Sequence, residues 1–156
     1  MSQTKWITTQ TVREHIVAEL PGAIEKNSWG ETAYFYNPGG VLKNGTYFAT
    51  IKEKNGDNDR ASDLDREGVW RLNIGVPKAS YQEMFGPVPD RPGIGCAIEG
   101  PWDFTLIDMI MPHPVYAWMG WVAVLSPSEN TWRDCITLLD HAHGRARKTF
   151  DKRTKR

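Results

Sequence analysis

Between Met111 and Pro127 the chain runs Met-Pro-His-Pro-Val-Tyr-Ala-Trp-Met-Gly-Trp-Val-Ala-Val-Leu-Ser-Pro. This run constrains the fold more than any other. Two prolines flank His113, an aromatic cluster and Gly120 follow, and Trp121–Leu125 is short and wholly apolar, as a buried strand is. Ser128 then stands where a helix cap belongs, ahead of Trp132, Cys135, Ile136, Leu139, Ala142, His143 and Ala146 at helical spacing. An apolar strand followed by an amphipathic helix hides both apolar surfaces only by packing one on the other. The helix is expected to fray into a basic tail.

The rest of the chain supplies elements for that pair. Val12, Ile16 and Leu20 form one stripe of a helix over Val12–Leu20, with Thr11 and Glu14 at capping-box spacing and Pro21-Gly22 as its stop. Ala33–Tyr36 and Thr46–Lys52 read as strands, separated by turns at Asn37–Gly40 and Lys43–Gly45. Asn44-Gly45-Thr46 matches a glycosylation sequon but reads as part of the second turn. The polar stretch Lys52–Gly68 reads as a solvated loop with a helical turn near Leu64. Its four aspartates fail the calcium-loop pattern, because Ala61 occupies the place of the third oxygen ligand. Val69–Gly75 alternates, with Arg71 and Asn73 on one face and Trp70, Leu72 and Ile74 on the other, as a half-buried antiparallel strand does. Short helices are expected at Pro77–Gly86 and Asp103–Met111, the latter burying Phe104, Ile107 and Ile110. Residues 86–101, rich in proline and glycine, are expected to be irregular.

This order predicts an α+β fold: a single antiparallel sheet covered on one face by N- and C-terminal helices. A length of 156 residues fits one domain, here residues 11–149, preceded by an arm at 1–10 and followed by a basic tail at 150–156. The net charge of zero conceals a split. Residues 144–156 hold seven Lys/Arg against one acid, and the rest of the chain holds 12 against 18. No apolar run approaches the roughly 18 residues of a membrane span, and no signal sequence is readable, so no membrane contact and a cytoplasmic setting are expected. Cys96 and Cys135 lack C-x-x-C spacing and are expected to be reduced.

Chemistry concentrates in few residues. His113, held extended by the prolines around it, can act as acid, base or ligand, and Arg71, Asn73, Asp103 and Asp108 are its candidate partners. His141 and His143 are two apart, so on a helix they diverge and form no metal pair. No phosphate-binding glycine loop or nucleophile elbow is present, and neither a metal nor a cofactor is expected. Of the seven tryptophans, Trp29, Trp102 and Trp118 fall in expected loops, where bases could stack.

Leu20-Pro21-Gly22, Trp29-Gly30, Phe48–Ile51, Arg71–Val76, Phe85-Gly86, Asp103-Phe104, Pro112–Tyr116, Gly120–Val122 and Leu125–Pro127 together resemble a bacterial family, domain of unknown function 6194, over residues 12 to 148. More loosely, the arrangement is similar to the MmcQ/YjbR-like proteins. That resemblance implies a small α+β domain of double-wing, DNA-binding type, and brings no catalytic residues with it. The leading expectation is a non-enzymatic binding domain whose pocket gathers Arg71, Asn73, His113 and Tyr116 around a small anionic ligand. The alternatives are an enzyme using His113 as general base, and a nucleic-acid binder acting through the basic tail.

Overall fold

Among the described residues six antiparallel strands form one open sheet, and three α-helices accompany it. The structure, a computed structural model, describes residues 3–28 and 30–155; Trp29 lies outside them. The elements run α1 (Thr9–Glu19), β1 (Ala23–Ser28), β2 (Glu31–Tyr36), β3 (Thr46–Lys52), β4 (Arg71–Ile74), α2 (Lys78–Phe85), β5 (Met111–Pro112), β6 (Val122–Leu125) and α3 (Glu129–Thr154). The strands lie in the spatial order β1-β2-β3-β4-β6-β5. The fold is thus α+β, as the sequence predicts.

The two-period of β4 sorts its side chains by face. Leu72 and Ile74 join Ala49 and Ile51 of β3 and Val122 and Val124 of β6 in the core, which α3 closes by lying across β2, β3 and β4. Ser128 caps α3 with its hydroxyl, and Trp132, Cys135, Leu139, Ala142, His143 and Ala146 are buried along it. Ile136 is only half-buried, and Leu138 takes the inward place beside Leu139. Trp121, Val122, Val124 and Leu125 are all buried, but only Val122 and Val124 face the core under α3; Leu125 and Trp121 lie on the opposite face, with Arg71 and Asn73.

Several expectations are corrected. Helix α1 starts earlier, because Thr8 rather than Thr11 caps it, accepting from Thr11 N. The sequence reading passed over β1, whose Glu25–Ser28 segment is exposed at the sheet edge and so shows no apolar alternation. No helix forms over Asp103–Met111: Asp103 instead folds back on Thr105, Asp108 adopts φ 61°, and Met111-Pro112 pairs with β6 as β5. Phe104 is buried there, but Ile107 is exposed. Strand β4 is buried on both faces rather than half-buried. Loop 53–68 has no helical turn at Leu64, yet Ser62 and Leu64 are buried. Helix α3 does not fray at residue 150; it continues to Thr154, with Phe150 buried against the Tyr36 ring at 5.1 Å.

Among the described residues no helix is long and apolar enough to cross a membrane. Cys96 and Cys135 are both free, and burial pushes the Cys135 thiol up to about 12. His141 and His143 diverge: His143 is buried with Nε2 2.7 Å from the Pro21 carbonyl, while His141 is exposed beside Ser80.

Candidate functional site

The face of the sheet turned away from α3 carries Arg71 and Asn73. Across β3 their partners are Lys52 and Thr50, and across β6 they are Leu125 and Ala123. Met111 of β5 lies opposite Ala123, so His113, two residues on, comes to the same face. Arg71 and Asn73 share a face, as alternation requires, and His113 comes to it as well.

Arg71 is completely buried, and a buried charge must be paired and hydrogen-bonded. Its Nε donates to Asn73 Oδ1 at 2.7 Å, and Nη1 donates to Asp59 Oδ1 at 3.0 Å and to Ser62 Oγ at 2.9 Å. Nη2 donates to Asp59 Oδ2, which completes a bidentate ion pair. Four of its five N–H groups are thus spent inside the protein. Asn73 in turn donates from Nδ2 to Thr50 Oγ1 at 2.8 Å. The arginine expected to grip a ligand instead ties loop 53–68 to the sheet. Asp59 and Ser62 are the site residues that sequence reasoning missed. Twelve and nine positions from Arg71 in an aperiodic polar loop, they give no pattern to read.

The fifth Arg71 N–H faces His113, whose Nε2 lies 3.3 Å from Nη2. The other ring nitrogen is already engaged: Nδ1 accepts from Val115 N at 3.0 Å and Tyr116 N at 3.1 Å. Proline at 114 has no N–H, so these are the first amides able to turn back onto the ring. The backbone of His113 is fixed as well, its N–H on Trp121 O and its carbonyl accepting from Ala117 N. An Nδ1 that accepts two amides carries no proton, so in the neutral ring the hydrogen sits on Nε2. Burial first, then the charges of Arg71 and Lys52, hold the ring well below its ordinary pKa, and neutral. Nε2–H and the last Arg71 N–H are then two donors face to face, with no acceptor between them.

A cavity of about 320 Å³ opens where this ring meets the sheet. Thr50, Lys52 and Glu31 of the strands line it, with Asn58 and Asp59 of loop 53–68 on one side. His113, Tyr116 and Trp121 close the other side together with Tyr47. Tyr116 is 44% exposed and stands at the mouth, whereas His113 is 2% exposed at the back. Tyr47 and Trp121 lie ring on ring at 5.0 Å. Trp121 can cross β4 only because residue 75 is glycine; a Cβ there would come within 2.6 Å of the indole. Lys52 Nζ is 3.6 Å from the Glu31 carboxylate, and Asp59 is held by Arg71, so each acid in the cavity has a cation beside it. Thr50, which accepts from Asn73, still has its own O–H to give, and His113 offers Nε2–H.

Of the expected site residues, His113 and Tyr116 line the cavity, while Arg71 and Asn73 lie beneath its wall and hold it. Asp103 and Asp108 are not partners of His113: Asp103 binds Thr105, and Asp108 accepts from Ser128 N at 2.7 Å.

A family model matches residues 7–155, almost the whole chain. The chain belongs to the family of unknown function DUF6194. Comparison with curated proteins and with solved structures finds no match. In this DUF6194 chain the Pro112–Tyr116 and Arg71–Val76 segments, part of the initial resemblance, hold the convergent polar cluster. Trp102 packs edge-on against Phe85 at 5.5 Å and is set apart from the cavity.

The depressed pKa of His113 has a stability consequence of definite sign. The unfolded imidazole takes up a proton near 6.5, while the folded one refuses it until a lower pH. The associated stability is full above 6.5 and is lost as pH falls from there toward the folded value. In His113→Asn the amide oxygen can replace Nδ1 as acceptor, and nothing titrates. Urea unfolding at pH 7.5 and 5.0 is expected to show a larger acid loss in wild type than in His113→Asn. Equal losses would mean that the ring is not held neutral.

Proposed function

We propose that this domain is a non-enzymatic binder of a small polar molecule bearing acceptor oxygens, an anion such as a carboxylate or phosphate ester included, held in the cavity between His113 and Tyr116. One observation carries the reading: a cavity of about 320 Å³ has His113, buried and with Nδ1 spent on two backbone amides, at its back and the exposed Tyr116 at its mouth. A ligand oxygen reaching the Nε2–H of the neutral ring, or the Thr50 hydroxyl, would gain a buried hydrogen bond there, and leaving such a donor unsatisfied costs about 1–3 kcal/mol. The setting we assign is the cytoplasm, where thiols such as Cys96 and Cys135 stay reduced.

Catalysis by His113 as a general base has less support. Neither nitrogen offers a free lone pair, and burial beside Arg71 disfavours the protonated ring that a base must become. Arg71 and Asn73 act as scaffold beneath the ligand.

The test is a thermal-shift screen of carboxylates, phosphate esters and sugars, with hits titrated by calorimetry. His113→Asn keeps an acceptor for the turn amides but, being shorter, leaves nothing at the Nε2 position, so affinity is expected to fall by about tenfold, the scale of one hydrogen bond to a charged group. A hit that binds His113→Asn and Tyr116→Ala as tightly as wild type would place the ligand elsewhere.

A second reading, a nucleic-acid binder of the MmcQ/YjbR-like, double-wing kind, is favoured by the exposed cations Arg147, Lys148, Lys152 and Lys155 at the end of α3. Phosphate contacts would make duplex binding fall steeply with salt. Binding is then expected to vanish in a Lys148→Glu/Lys152→Glu protein, and duplex affinity indifferent to that reversal would reject this reading.

A further inference from the structure

The His113 cavity has a neighbour. A second hollow of about 160 Å³ shares Asn58, Val115 and Tyr116 with it as wall residues, so the two are adjoining lobes of one groove. Their electrostatics differ. In the inner lobe Glu31 is beside Lys52 and Asp59 is on Arg71, leaving no unbalanced charge. In the outer lobe Arg91 is the only charged lining residue. Its guanidinium lies 5.0 Å over the Trp118 ring, and among the described residues it makes no hydrogen bond or ion pair. Stacking on an indole holds the plane of a guanidinium while leaving its N–H edges free, the presentation that grips a carboxylate or phosphate with two parallel bonds. The far wall is the turn Gly93–Cys96, closed by Cys96 N on Gly93 O at 2.9 Å, where Gly95 takes φ 77° and neither glycine adds a side chain to narrow the lobe.

We propose that the two lobes together bind one elongated ligand, a polar ring compound carrying a phosphate monoester, with the ring in the inner lobe and the phosphate on Arg91. The inference rests on the inner cavity being a binding site. Rings suit that lobe because Tyr47, Tyr116 and Trp121 offer flat apolar faces between the donors of Thr50 and His113. Phosphate suits Arg91 because a dianion gains most from a fork-shaped cation, and Arg91 forms no ion pair among the described residues although Asp90 and Glu99 line the hollow on its other side. A phosphorylated sugar and a phosphorylated nucleoside share this chemistry.

The experiment uses matched probes: glucose and glucose 6-phosphate, adenosine and adenosine 5′-monophosphate, and inorganic phosphate alone. Each is titrated into wild type, Arg91→Gln and His113→Asn. Arg91 is exposed, so its substitution leaves the core untouched. In at least one pair the phosphate is expected to tighten binding by about tenfold in wild type, a gain lost in Arg91→Gln. His113→Asn is expected to weaken both members of that pair alike. A ring compound that loses affinity in His113→Asn but gains nothing from its phosphate, or keeps the gain in Arg91→Gln, overturns the two-lobe site and leaves the inner-cavity reading standing. Inorganic phosphate binding as tightly as the monoesters, or a phosphate gain that ignores His113→Asn, reduces the outer lobe to an isolated anion contact and overturns it too. No binding by either pair at millimolar concentration rejects the phosphorylated ring class.

Discussion

A guanidinium with no access to water sets the terms for this side of the molecule. Arg71 stands in the middle of the sheet, where hydrophobic partners fill the other face, and its charge is tolerable only because Asp59, Asn73 and Ser62 surround it. Such pairs contribute little net stability against an apolar replacement of similar shape. Removing one partner, by contrast, strands the other charge and costs about 3–5 kcal/mol. The arrangement therefore acts as a latch. Loop 53–68 must lie over the sheet for Asp59 to reach Arg71, and once there it supplies Asn58 and Asp59 as cavity wall.

The same latch orients the imidazole. Arg71 occupies one side of His113 as a donor, the amides of Val115 and Tyr116 occupy the other, and burial removes water from both. A ring surrounded by donors and cations stays neutral and presents its single proton on Nε2. That neutral state is set by the prolines at 112 and 114 together with the arginine on β4. Trp121, which Gly75 admits across the strand, and Tyr116 then turn a polar crevice into a cleft with flat walls.

Much of this was readable from the chain, for physical reasons that also mark where reading stops. The apolar run Trp121–Leu125 and the stripe of α3 follow fixed periods, and the shared face of Arg71 and Asn73 follows from alternation alone. His113 stood out because two prolines restrict it. The partner of Arg71 did not, since a loop contact obeys no period, and the polar composition of 53–68 suggests solvation even where Ser62 and Leu64 are buried. Strand β1 was hidden because an edge strand facing water need not alternate. The segment 103–111 mimicked a helix by spacing Phe104, Ile107 and Ile110 three apart. A turn at Asp103, a left-handed Asp108 and pairing of Met111 with β6 prevailed over that pattern.

The central claim is that His113 is a neutral, Nε2-protonated ring fixed at the back of the cavity between Arg71 and two backbone amides. Nitrogen-15 NMR of labelled imidazole reads this directly, because protonated and bare ring nitrogens resonate far apart. The account requires one histidine with a bare Nδ1 and a protonated Nε2, unchanged as pH is lowered from 8 through 6.5, the ordinary titration point. A His113 ring that carries its proton on Nδ1, or that titrates at 6.5, would contradict it.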